Sequence, residues 1–211
     1  MELPPRPAWQ KLEATLPSSV GWDTVLVRAG DAAVWVGNLL AYPNGFAFTV
    51  RAVRRLGSSR PIAGELDAPM DPFHGARRRS GPGGLRFGLE YADGRRAATG
   101  GGIAGVVAAR RDPDERTLRL TEHGGGGSDR TWDTDFFASP LPPEGPVTFV
   151  AVWPDAGAPE SRAELDGALI RQAAARAVEL WPEDEFLADG PSAAYRTLRA
   201  GFDDEPPPAA S

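Results

Sequence analysis

The chain has 211 residues, a formal net charge of −6, 41 % hydrophobic residues, no Cys and two His. Without cysteine it is no disulfide scaffold, thiol enzyme, zinc finger or iron–sulfur protein, and two His leave little for a histidine metal centre. The acidic balance argues against a nucleic-acid binder, 25 Gly and 21 Pro argue against long helical bundles, and no run reaches the ~20 apolar residues of a membrane-crossing helix.

The opening Met1-Glu2-Leu3-Pro4-Pro5 lacks the basic and apolar regions of a secretory signal, and the expected location is the cytoplasm. Residues 1–19 read as an N-terminal extension, with Trp9, Leu12 and Leu16 on one face of a short helical stretch. From Thr24 the period becomes two. Thr24–Arg28, Ala33–Tyr42 and Phe46–Arg54 read as antiparallel strands joined at Gly30-Asp31 and at Asn44-Gly45, a pair whose residues tolerate positive φ. Residues 57–84 show no periodicity, and so long a connection in a compact domain is expected to be functional or mobile. Leu85–Tyr91 alternates cleanly, turns at Asp93-Gly94 and returns over Arg95–Thr99. Further strands are expected at Ile103–Arg110, Thr117–Glu122, Arg130–Ala138 and Val147–Trp153.

Ser161–Trp181 differs. A Ser three residues before Glu164 has the spacing of a capping box, Pro182 stops the run, and Leu165, Leu169, Ala173, Ala177 and Leu180 recur at helical spacing. The pattern predicts a helix of about five turns with that stripe on a sheet. A short helix is expected at 193–199 and a disordered tail at 201–211. The whole reads as a mainly β chain: one antiparallel β-sandwich domain over residues 20–200, of about eight to nine strands, with one long C-terminal helix packed on it. A single barrel is the alternative.

Chemistry concentrates in two stretches. In Glu122–Asp135 four glycines, Gly124 to Gly127, expose backbone N–H groups and make a candidate anion nest with His123 and Arg130 alongside, so His123, Gly125, Gly126, Asp129 and Arg130 are candidate binding residues; a plain hairpin connection is the simpler reading. Asp129, Asp133 and Asp135 also make an oxygen-rich set suited to Ca2+, although alternation along a strand points Asp133 and Asp135 to solvent without any ligand. In the 57–84 stretch, Arg77, Arg78 and Arg79 can grip a phosphate or an acidic partner, and Asp67, Asp71 and His74 can hold a metal; a solvated loop explains the same residues. Catalysis has little support: there is no G-x-S-x-G elbow, no H-E-x-x-H and no kinase set. Trp35, Trp132 and Trp153 are expected in the core, and Trp9, Trp22 and Trp181 at its edges.

Ala41-Tyr42-Pro43-Asn44-Gly45-Phe46, Leu85-Arg86-Phe87-Gly88, Tyr91-Ala92-Asp93-Gly94-Arg95, the Pro140-Leu141-Pro142-Pro143 connection and Val152-Trp153-Pro154 together resemble a family of uncharacterised actinobacterial proteins. The resemblance spans about residues 22–181 and implies a bacterial cytoplasmic protein, with no activity attached. The leading expectation is a non-enzymatic module that binds a protein partner, with no nucleic acid and no membrane span, through the 57–84 and 124–129 loops at one end. A calcium- or small-ligand-binding sandwich comes second and a hydrolase third.

Overall fold

A computed structural model describes residues 7–55, 84–99, 116–128 and 130–182. The expected strand Ile103–Arg110, the core of the long connection, the 193–199 helix and the tail lie outside the described residues. The described strands are β1 (Thr15–Leu16), β2 (Ser18–Ser19), β3 (Thr24–Ala29), β4 (Ala32–Tyr42), β5 (Gly45–Arg54), β6 (Arg86–Tyr91), β7 (Arg96–Ala98), β8 (Arg119–Gly127), β9 (Thr131–Ser139), β10 (Pro146–Trp153), β11 (Ala158–Asp166) and β12 (Val178–Glu179). One helix, α1, spans Gly167–Ala174.

All pairings are antiparallel. One sheet runs β2–β4–β5–β9–β8, with β3 following β2 along the free side of β4; the other runs β11–β10–β6–β7; β1 pairs with β12. Alternation explains the layering. Phe46, Phe48, Val50 and Ala52 turn to one side of β5 and Phe87, Leu89 and Tyr91 to one side of β6, and all are buried. The Phe48 ring lies 5.6 Å from Phe87 and 5.5 Å from Phe149 of β10, so the two sheets share one core. Trp153 closes that core, while α1 packs at the opposite end of β10, where the Gly167 amide donates to the Gly145 carbonyl at 2.9 Å.

The predicted five-turn helix is not formed. Residues 158–166 are a strand, because Ser161, Ala163 and Leu165 alternate with charged residues and register opposite Ala151, Phe149 and Val147 of β10. Cross-strand pairing overrides the helix propensity of the Ala, Glu and Arg residues. The helix begins at Asp166, whose carboxylate accepts from the Ala168 amide at 2.9 Å. Ile170, Ala173 and Ala174 bury its inner face, whereas Leu169 and Leu180 of the predicted stripe are 45 % and 47 % exposed.

Two smaller expectations also change. Residues 9–16 form a turn and the short β1 rather than a helical stretch. The β4–β5 hairpin is present, yet its two loop residues are Pro43 and Asn44, and neither has positive φ. Asn44 acts through its side chain, donating to the Ala8 and Gln10 carbonyls at 2.8 and 2.6 Å. The Asp93-Gly94 turn is as its sequence requires, with Gly94 at φ +86°.

Candidate functional site

The side of the six-stranded sheet that faces away from the core divides in two. Near Tyr42 it is covered: the Lys11 ammonium lies 5.4 Å from the Tyr42 ring, the Arg119 guanidinium 5.5 Å from Trp9, and Phe137 is buried beneath Tyr42 and His123. Beyond this cover the face is open and carries cross-strand rows, of which the one nearest the β8–β9 turn holds Arg28, Ala33, Val53 and Thr131.

Register defines the rows. Val25, Trp35, Arg51, Asp133 and Gly126 stand side by side across β3, β4, β5, β9 and β8. The Arg51 guanidinium sits 5.4 Å from the Trp35 ring and grips both oxygens of Asp133, hydrogen bonds that raise its pKa further. The next row holds Gly37, Thr49, Asp135 and Gly124. Thr49 donates its hydroxyl proton to Asp135 at 2.7 Å, and Asp23 lies over Gly37, where a Cβ would collide with its carboxylate. Asn38 is the extra residue of a bulge between Gly37 and Leu40, with φ +54°, and its amide N–H donates to Asp23 at 3.3 Å. Trp35 therefore belongs to this outer face rather than to the core, which Trp153 occupies as expected.

The glycine run is not a loop. Gly124 to Gly127 form the second half of β8 and pair with Asp135, Thr134, Asp133 and Trp132 in turn. His123 is the extra residue of a bulge where the register shifts between Glu122 and Gly124, and its ring meets the Phe137 edge at 6.0 Å. The glycines thus lie in a strand that is at the sheet edge among the described residues. On the inner side, a Cβ on Gly125 would lie 2.8 Å from the Asp133 carbonyl and 3.4 Å from Trp132 Nε1, and one on Gly127 would collide with the Thr131 carbonyl. On the outer side a Cβ on Gly126 meets nothing within 4 Å. Packing requires the first pair of glycines; open space surrounds the third.

His123, Gly126, Asp133 and Asp135 are therefore brought to one face and edge, whereas Gly125 turns inward. Arg130 sits at the tip of the β8–β9 hairpin, and Asp129 and Arg77 to Arg79, with Asp67, Asp71 and His74, lie outside the described residues. Among the described residues no three acidic or imidazole side chains converge to hold a metal, and no helix is long and apolar enough to cross a membrane. The tip meets the strand from which the long connection departs. The Arg54 amide donates to the Arg130 carbonyl at 2.8 Å, the Arg55 amide to Asp31 at 2.7 Å, and the Arg54 guanidinium lies 5.0 Å from Trp153.

A second feature escaped the sequence reading. The outer face of the other sheet holds an open groove of about 470 Å³, floored by Gly88, Val150, Val152 and Ala98 and rimmed by charge. Glu90 accepts from Arg96 at 2.6 Å and from Arg162 at 3.2 Å, and Arg162 also donates to Glu160 at 2.9 Å. The hydrogen bond from Arg96, then that from Arg162, holds the Glu90 carboxyl below its ordinary range. These charges largely satisfy one another, and of the charged residues lining the groove Arg86 is the one with no ion pair among the described residues. No family model, curated protein or solved structure matches the chain, so the arrangement of its own residues is what speaks to function.

Proposed function

We propose that the chain is a binding module: a β-sandwich that takes up a protein partner along β8 and the adjoining hairpin tip. One observation carries this reading. β8 pairs only with β9 among the described residues, and Gly124 through Gly127 are exposed, so along them a row of backbone donors and acceptors has no strand against it among those residues. Such an edge is a template for an added strand, the main-chain route of peptide recognition. The other edges offer less: β7 is three residues long and β11 lies beside β3.

The end of the sheet supports the same reading. The Arg54–Arg130 hydrogen bond sets the hairpin tip beside the root of the 57–84 connection, so a partner on β8 meets both. Trp35 and Arg51 on the adjacent face are residue types that dominate binding energy in interfaces. The test is amide hydrogen exchange on the chain alone and in complex with a partner retained from its native cells. Slowed exchange over 122–127 in the complex is expected. Protection confined to other elements, or amides of 122–127 already slow in the free chain, overturns the reading.

A further inference from the structure

We infer that the partner strand is basic, with Lys or Arg at alternate positions, and that these side chains cross the glycine column of β8 to reach Asp133 and Asp135. The inference rests on strand addition at β8. Neighbouring strands lie about 4.8 Å apart, so an added strand would run about 10 Å from β9, with β8 between them. Any ordinary residue at 124 or 126 would place its side chain in that gap. Gly124 and Gly126 place none, and a Cβ at either meets nothing within 4 Å. The stem of a Lys or Arg together with an Asp side chain spans the distance.

Charge selects the occupant. The open face carries Asp23, Asp133 and Asp135 against Arg51 and, one row nearer the hairpin tip, Arg28, so the carboxylates are in excess beside the glycine column. Asp135 offers one oxygen to Thr49 and keeps the other for a partner. Asp133 and Asp135 are two residues apart on β9, so they match side chains at alternate positions of an extended segment, all on one face. An acidic segment would meet repulsion along the same path, and a second copy of this chain would bring its own carboxylates to the junction.

The probes are blocked octapeptides alternating Thr with Lys, with Gln or with Glu, titrated into the full chain at low salt by fluorescence anisotropy. The Thr–Lys peptide is expected to bind most tightly, and its advantage to fade with added salt. Asp133→Asn with Asp135→Asn is expected to weaken it about fivefold, the scale of two exposed ion pairs, while the Thr–Gln peptide is unaffected. Gly126→Leu, which has room to fold, should close the gap and remove the same advantage. Equal binding of the Lys and Gln peptides overturns the basic partner and leaves strand addition standing. No binding by any peptide, with 122–127 exchanging unchanged, overturns strand addition itself. Dimerisation through β8, seen by light scattering and abolished by Gly126→Leu, assigns the edge to a second copy and overturns the proposal.

Discussion

At the scale of single residues, glycines of one composition answer to different physical demands. Gly45 faces the Ala138 carbonyl and the Phe137 ring, the latter 2.7 Å from where a Cβ would stand. Since a carbonyl in a paired strand cannot yield, Gly45→Ala is expected to cost about 1–3 kcal/mol, measured by chemical denaturation. Gly126→Ala meets nothing and should stay within about 0.5 kcal/mol of the parent. The contrast also tests whether Gly126 is kept open for something outside the chain. Asn44 shows the same economy in a polar residue. Its amide nitrogen fastens the Ala8 and Gln10 carbonyls, so Asn44→Ala should loosen the N-terminal cover of Tyr42 and raise proteolysis near residues 7–14.

At the scale of elements, β11 and α1 carry the sharpest test. The capping-box spacing puts the helix start at Ser161; the structure puts it at Asp166. Asp166→Ala is expected to cost about 0.5–2 kcal/mol, whereas Ser161→Ala, in a strand, loses no cap. Comparable losses for both would favour the longer helix. This element also shows where sequence stops being legible. Strands such as β4, β5, β6 and β9 declare themselves by alternation, and the Asp93-Gly94 turn by its need for a left-handed residue. In residues 158–166 both periods are present: Ser161, Ala163 and Leu165 satisfy a strand, while Ala, Glu and Arg favour a helix. The tie is broken by β10, through register that no local pattern contains. The glycine run misled for a related reason. Glycine weakens a strand by itself, so Gly124 to Gly127 read as a loop, and only pairing with β9 makes them an edge. Asp133 and Asp135 were legible as solvent-facing residues; their alignment with Trp35, Arg51 and Thr49 across three strands was not.

At the scale of the whole molecule, stability depends on β6, whose two faces join different parts of the fold. Its inner face reaches Phe48 through Phe87, so Phe48→Ala, which removes the ring shared by both sheets, is expected to cost about 3–5 kcal/mol and to unfold them in one transition. The last residue of β6, Tyr91, is buried, and its hydroxyl donates to the Pro140 carbonyl at 2.8 Å. Burial raises the phenol pKa far above its ordinary value of 10. The folded chain therefore keeps a proton that the unfolded chain releases above about pH 10, and stability falls as pH rises beyond that point. On the outer face Glu90 ties β6 to β7 through Arg96 and to β11 through Arg162, and its pKa is lowered. Its contribution is present above the ordinary carboxylate range and is lost as pH falls through and below it. Glu90 is open to solvent, so that contribution is also screened by salt. Melting temperature followed against pH should thus decline at both extremes for separate reasons. Tyr91→Phe is expected to flatten the alkaline decline and leave the acid one, and Glu90→Gln to soften the acid decline and leave the alkaline one. If either variant shifts both limbs alike, the two faces of β6 are not independent, and the division of labour read from the strand's alternation fails.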